Sequence, residues 1–316
     1  MIVLSYFDLS LEFLRPFTVA DSLKTTGALI SCYITVENSM GSSCDPASLK
    51  NGAIKASSVF RVINSEQMFP VTKINLLLKG EGEIKRKETL EVRKKIPRYL
   101  PWENIKAVAR DLEENDYKGI STTIVQDLVK YEHVDASNED DRLSVNLSDP
   151  LNSMLYTREF SSFTGLEFKS GRISGMECWF TASLSEGIDA RKFKAAGRLL
   201  EDFGLSGRRS TGSGHLILNQ MKSSEDKEYG FSGEGLYLLL SKFIPTRKDI
   251  DSIELSRSVY SISAFSGKDS TETHMGTYRY FSEGSILYLK NDVEGRSYDI
   301  GARRFLPFFP ILRRIS

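Results

Sequence analysis

Phe7, Leu9, Leu11 and Phe13 alternate with Asp8, Ser10 and Glu12, the period-two pattern of a strand with one buried and one solvated face. Asp21 then offers an N-cap to a helix carrying Leu23, Gly27, Ile30 and Ile34 on one side, although Thr25, Thr26 and Gly27 lower its propensity. A Gly/Ser/Asn-rich stretch reads as loop, and strand-like runs follow at 58–63 and 71–78. The same order returns later in the chain. Met176, Cys178, Phe180, Ala182 and Leu184 alternate with Glu177, Trp179, Thr181 and Ser183. Asp189 is placed to cap a helix marked by Phe193, Ala196, Leu200 and Phe203, which Gly204 ends as a C′ glycine. A strand begins at His215-Leu216-Ile217-Leu218, and apolar runs at 236–244, 259–265 and 278–289 complete a strand-rich second half.

Between the two halves the pattern weakens. From Lys79 to Asn115 basic residues crowd together (Lys85, Arg86, Lys87, Arg93, Lys94, Lys95, Arg98), and Pro97 and Pro101 interrupt regular structure, so this stretch reads as a basic insertion. The acidic run Glu139-Asp140-Asp141 lies among polar residues, as expected of a flexible loop or hairpin tip near a domain boundary. A boundary near residue 150 divides the chain into domains 1–150 and 151–316. Strands interleaved with a few helices in each part indicate an α+β protein, and the element order suggests two ferredoxin-like (RRM-like) domains with insertions.

A chain of 316 residues with 40% hydrophobic content has room for about two cores. Lysine plus arginine equals aspartate plus glutamate at 42 each, so affinity for a polyanion must come from local clusters. Cys32, Cys44 and Cys178 are odd in number and widely spaced, which argues against a disulfide framework and a structural zinc site and fits a reducing cytoplasm. The first residues show neither a basic n-region nor a long apolar run, so neither a secretion signal nor a membrane span is expected.

The densest chemistry lies at Gly204-Leu205-Ser206-Gly207-Arg208-Arg209-Ser210-Thr211-Gly212-Ser213-Gly214-His215. Glycines let the main chain approach a ligand closely, so that N–H groups converge on an anion while arginines supply charge and forked donors. The run reads as a phosphate cradle. It is not a Walker A loop: Gly207 and Gly212 have the right interval, but Ser213 stands where lysine is needed, and the order is helix, loop, strand. Nor is it a dinucleotide fingerprint, since Gly212-Ser213-Gly214 lacks the third glycine and follows no strand.

With its preceding helix and following strand, the segment Phe203–Leu216 resembles the glycine-rich loop of the RAMP superfamily, the RRM-like proteins of CRISPR RNA-guided effector complexes. Within it the chain is most similar to the fourth subunit of the type III-A (Csm) complex. Arg15-Pro16-Phe17 after the first strand, Ser57-Ser58-Val59-Phe60 and Glu283-Gly284-Ser285-Ile286-Leu287 stand as landmarks in family order. Arg15-Pro16-Phe17 and the Gly284-Ser285 turn also suit the third subunit of the type III-B (Cmr) complex.

The resemblance implies a non-catalytic scaffold without a cofactor, holding the repeat-derived 5′ handle of the CRISPR RNA and linking the large polymerase-like subunit to a backbone RAMP subunit. Single-stranded RNA is held through phosphate, ribose and stacking contacts. The candidate RNA-binding residues are Gly204, Gly207, Arg208, Arg209, Ser210, Thr211, Gly212, Ser213, Gly214 and His215. To these are added Arg15, Lys55, Ser57, Arg61, Lys94 and Lys95. The C-terminal stretch with Arg303, Arg304, Phe305, Phe308, Phe309, Arg313 and Arg314 mixes cations and rings, and its phenylalanines are expected in the core. A competing reading makes the chain a RAMP-type endoribonuclease in which His215 moves a proton. No HExxH, EF-hand or CxxC pattern marks a metal site, and Glu139 to Asp141 read as solvated surface.

Overall fold

The opening alternation becomes the second strand in from one edge of the largest sheet. The structure, a computed structural model, describes residues 5–13, 20–42, 44–72, 97–130, 139–145, 155–161, 167–169, 172–174, 176–205, 214–224, 228–266, 276–301 and 304–316. In chain order its first elements are β1 (Ser5–Phe13), α1 (Ser22–Ser39), β2 (Ile54–Ala56), β3 (Phe60–Ile63), β4 (Glu66–Pro70), β5 (Tyr99–Pro101), α2 (Trp102–Glu114) and α3 (Thr122–Val129). Next come β6 (Glu139–Val145), β7 (Leu155–Ser161), β8 (Glu167–Lys169), β9 (Arg172–Ser174), β10 (Met176–Leu184), α4 (Ala190–Phe203) and β11 (Leu216–Ser224). The last are β12 (Gly235–Leu239), α5 (Arg247–Ser252), β13 (Ile262–Phe265), β14 (Tyr278–Phe281), β15 (Ile286–Leu289), β16 (Arg296–Asp299), β17 (Phe305–Phe308) and β18 (Leu312–Arg314).

The large sheet runs β11-β1-β10-β3-β4-β5, with β2 also paired to β10. Counting β1, β3, β10 and β11 as four strands with α1 and α4 as their crossovers gives a βαββαβ unit in spatial order 4-1-3-2. Strands from both sides of residue 150 share this sheet. The reason is length. β1, β10 and β11 each have nine residues, whereas β2 to β5 have three to five. Only the later strands can pair with β1 along its whole length, from Ser5 opposite Leu184 to Phe13 opposite Met176.

The alternation of β1 sorts its side chains between two layers. Phe7, Leu9, Leu11 and Phe13 lie in the core under α1 and α4, with Leu29, Tyr33, Phe193 and Leu200. Tyr6 turns to the other face, where Trp179 and Phe60 meet α2 and Leu236, Leu238 and Leu240 from β12 and the residue after it. β12 is the centre of a three-stranded sheet, β15-β12-β18. The large sheet is thus covered by helices on one side and by α2 and the smaller sheet on the other.

Several expectations are met and some are corrected. Asp21 caps α1 by accepting from Lys24 N, and Asp189 caps α4 by accepting from Arg191 N and Lys192 N. The α+β class with antiparallel sheets holds. The run 278–289 is two strands, because Glu283-Gly284 turns the chain between β14 and β15. Glu139-Asp140-Asp141 does not form a loop: it begins β6, which pairs with β7 from Glu139 opposite Ser161 to Val145 opposite Leu155. α2 lies at the end of the basic stretch, where proline suggested irregular backbone. Pro101 occupies its N-cap position, and Ile105, Val108, Ala109 and Leu112 bury one face. The bases of the insertion are joined, since Pro70 pairs with Tyr99 and Val71 N donates to Arg98 O at 2.8 Å. The strand expected at 71–78 and the basic run to Lys95 lie outside the described residues from 73 onward.

Candidate nucleic-acid interface

α4 forms because Phe193, Ala196, Gly197 and Leu200 bury one stripe, and it stops at Gly204, whose φ of +68° favours a residue without Cβ. Gly204 N donates to Leu200 O at 2.7 Å, and Leu205 N donates to Gly214 O at 3.0 Å. The second bond draws the two ends of the glycine-rich segment together. Gly214 also has positive φ, +74°, and hands the chain to β11. His215 is exposed there, between buried Gly214 and Leu216. Gly207, Arg208, Arg209, Ser210, Thr211, Gly212 and Ser213 lie outside the described residues, as do Arg15, Lys94 and Lys95.

Of the remaining candidates, the sheet brings Arg61 to the end that carries this stem. Phe13, the last residue of β1, pairs with Leu216, the first of β11, so the end of β1 lies beside the start of β11. Arg61 faces Cys178, which faces Leu11, which faces Leu218. At about 4.8 Å per strand this row puts the Arg61 backbone roughly 14 Å from that of Leu218. Glu12 and Glu177 face each other on this end of the sheet. Their like charges disfavour an anion at that position.

Lys55 and Ser57 are placed otherwise. Lys55 faces Ser183, toward the opposite end of β10 from Cys178. Its Nζ lies 5.4 Å from the centre of the Phe309 ring, and burial lowers its pKa against the pull of Asp292, Glu294 and Asp249. Ser57 is fully buried. Its hydroxyl donates to Ser58 O at 2.8 Å and accepts from Thr181 N at 3.0 Å, so both roles are spent inside the fold. Of the C-terminal residues, Phe308 and Phe309 are core as expected. Arg313 is buried too, 4.1 Å from the Trp102 ring centre and paired with Glu228 at 2.5 Å. It serves internal packing.

Two of the short landmarks meet in the structure. The Ser58 hydroxyl donates to the Glu283 carboxylate and accepts from Ser22 N at 2.8 Å. Lys242 Nζ pairs with Asp21 at 2.7 Å, and Lys242 N donates to Ser22 Oγ at 2.9 Å. Gly284 lies against Val71 and Thr72. This polar cluster fastens the start of α1 and β3 to the segments flanking β12 and β15. Burial raises the Glu283 pKa, with Lys242 and Ser58 opposing it. Burial works against the Lys242 ammonium, but Asp21 and Glu283 outweigh it and hold its pKa above the ordinary value. Residue spacing marked Asp21 only as a cap and could not connect it with Lys242 or Glu283.

Burial pushes the Cys178 thiol up to about 12, and all three cysteines are free. Among the described residues no group of three or more His, Cys, Asp and Glu side chains is arranged to hold a metal ion, and no helix is long and apolar enough to cross a membrane.

No protein-family model matches the sequence, and no curated protein matches it. Solved structures do. Over 99% of its length the chain is similar to 99% of a chain in the crystal structure of the Csm3-Csm4 subcomplex of the type III-A CRISPR-Cas interference complex, with 18% identity and TM-score 0.60. The Csm1-Csm4 cassette in complex with cA4 matches with 16% identity and TM-score 0.53, over 99% of this chain and 98% of that one. The same cassette in complex with pppApA matches with 14% identity and TM-score 0.50, over 98% of each chain. At these identities the likeness is one of fold. Csm4 is common to all three crystals, so the likeness to the fourth Csm subunit read from the sequence is met at the level of the fold.

Proposed function

We propose that this chain is a non-catalytic RNA-binding scaffold of a type III CRISPR effector complex. It holds the repeat-derived 5′ handle of the CRISPR RNA and bridges the large polymerase-like subunit to a backbone RAMP subunit. In this reading the chain carries two ferredoxin-like units, and its glycine-rich loop joins the second crossover helix of the first unit to that unit's last strand. The supporting observation is the position of Gly204–His215 between α4 and β11 of the βαββαβ sheet, in a fold shared end to end with a chain of the Csm3-Csm4 subcomplex.

Arg208 and Arg209 supply charge-assisted donors to phosphate, Ser210 and Thr211 bond ribose or phosphate oxygens, and the glycines let backbone N–H groups approach. Arg61, on the end of the sheet that carries the loop stem, adds a cation, and Arg15, Lys94 and Lys95 complete the set. Lys55 is the weaker member of the set, given its place over Phe309. Handle binding of this kind needs positioning and charge, and no proton transfer, so His215 contributes a hydrogen bond at the stem.

Sequencing the RNA that copurifies with the native protein tests the reading. One short repeat-derived 5′ sequence shared by all retained molecules is the expected result. Heterogeneous RNA, or none, contradicts it.

A further inference from the structure

Among the described residues β11 is the outermost strand of the large sheet, and it runs for nine residues. An edge strand presents unpaired N–H and C=O groups, on which another extended chain can add. At Leu218 both groups are already engaged, and by side chains. Glu201 Oε1 accepts the Leu218 N–H at 2.8 Å, and Arg198 Nη1 donates to Leu218 O at 3.0 Å. The two side chains also pair with each other at 3.3 Å. In an antiparallel ladder a hydrogen-bonded residue exchanges both its N–H and its C=O with one residue opposite. Arg198 and Glu201 make those same two bonds from α4. They lie three residues apart, on one face of that helix.

An exposed ion pair contributes little to stability on its own, and Arg198 is 64% exposed. Its geometry acts instead on the strand edge. Two large apolar side chains lie next to it in the chain: Ile217, 41% exposed, precedes Leu218, and Phe203, 42% exposed, follows Glu201 by two residues. The β1–β11 ladder also shifts register between Ser10 and Leu11, a local irregularity of the kind that bends an edge away from pairing.

We propose that Arg198 and Glu201 form an edge guard that keeps a second copy of this chain from pairing along β11. A second copy is the occupant this edge fits. Across a two-fold axis at Leu218, antiparallel pairing lets the same residue of each copy exchange both bonds. It also draws the exposed Ile217 of each copy into the contact, which covers apolar surface. The inference rests on described residues alone and does not depend on the RNA-binding reading.

The test compares the full-length wild type with the double variant Arg198→Ala, Glu201→Ala, by light scattering across a concentration series and by hydrogen exchange at the Leu218 amide. The wild type is expected to stay monomeric. The double variant is expected to rise with concentration toward about twice the wild-type mass, with the Leu218 amide exposed in the dilute monomer and protected again in the dimer. Adding Ile217→Lys to the double variant returns it to a monomer, because a lysine on an edge disfavours strand addition. Should the double variant not fold, Arg198→Glu opens the guard by repulsion at an exposed site and must give the same dimer. Three outcomes overturn the proposal: a folded variant with fast Leu218 exchange that stays monomeric throughout, Leu218 exchange unchanged from wild type, or a wild-type dimer that Ile217→Lys dissociates.

Discussion

Replacing Gly284 with alanine tests whether backbone contact holds the smaller sheet against the first part of the chain. Gly284 has φ +84°, and a Cβ there would lie 2.8 Å from Val71 N, Val71 C and Thr72 N. All three are main-chain atoms, so no side-chain rotation relieves the clash. The left-handed conformation costs alanine about 1–2 kcal/mol. Separating the segments also weakens the bonds from Thr72 N to Gly284 O, 3.1 Å, and from Val71 N to Arg98 O, 2.8 Å, at about 1 kcal/mol each. The sum is about 3–4 kcal/mol. With an unfolding entropy of about 2.1 cal/mol/K per residue, 316 residues give roughly 0.66 kcal/mol/K, so the Tm falls by about 5 °C. Gly27→Ala is the matched control: Gly27 is exposed within α1, and its Cβ would meet nothing within 4 Å. Alanine there stabilises the helix by about 0.5–1 kcal/mol, and the Tm rises by about 1 °C. The assay is a calorimetric melt of both variants beside wild type. A Gly284→Ala protein that melts within about 1 °C of wild type refutes the contact as described.

Three further outcomes follow from the same geometry and from the proposed function. Changing Arg208 and Arg209 together to alanine weakens guide RNA binding and flattens its salt dependence. The slope of log K against log salt falls by about 0.7 for each single-strand phosphate that the variant no longer neutralises, and an unchanged slope removes both arginines from phosphate binding. His215→Ala leaves precursor RNA intact, as wild type does; cleavage by wild type that disappears in the variant would move His215 into a catalytic role. Asp249 supplies a pH test. Burial alone would raise its carboxyl, but backbone N–H groups of Thr246, Glu294 and Gly295 outweigh it and hold the folded pKa below the ordinary 3.8. A depressed carboxylate contributes stability above its unfolded pKa and loses it as pH falls through the folded value. Asp249→Asn therefore lowers the Tm by about 3 °C near neutrality, from roughly 2 kcal/mol of charge-assisted bonding. The gap from wild type narrows below pH 3.8, and a constant gap across pH contradicts the assignment.

The legible part of the fold is the part written in local pattern. β1 and α4 could be read from alternation, helical spacing and caps, because one strand face or one helix stripe is buried in each; β10 was read from alternating residue type, although it is buried on both faces from Cys178 onward. α2 was legible in principle: Ile105, Val108, Ala109 and Leu112 have helical spacing. Neighbouring prolines and cations hid it, although Pro101 starts the helix rather than preventing it. β6 was not legible, since an acidic run becomes a strand only through its pairing with β7. The candidate site divides in the same way. Gly204 and Gly214 follow from the need for positive φ at the two ends of a tight connection. Ser57 and Ser58 are adjacent and chemically identical, yet one spends its hydroxyl within the large sheet and the other reaches Glu283.

Residue order alone specified the α+β class, the long strands, the caps and the glycine-rich segment between a helix and a strand. Each of these depends on residues within a few positions of one another. Long-range packing was needed to settle that strands from the two ends of the large insertion share one sheet, that Arg61 lies on the end of that sheet carrying the loop stem while Lys55 lies toward the other, and that Arg313 is packed on Trp102. It also settled that Leu218 is sealed by Arg198 and Glu201. Those outcomes depend on strand length, register and burial between residues far apart in the chain, which local pattern does not encode.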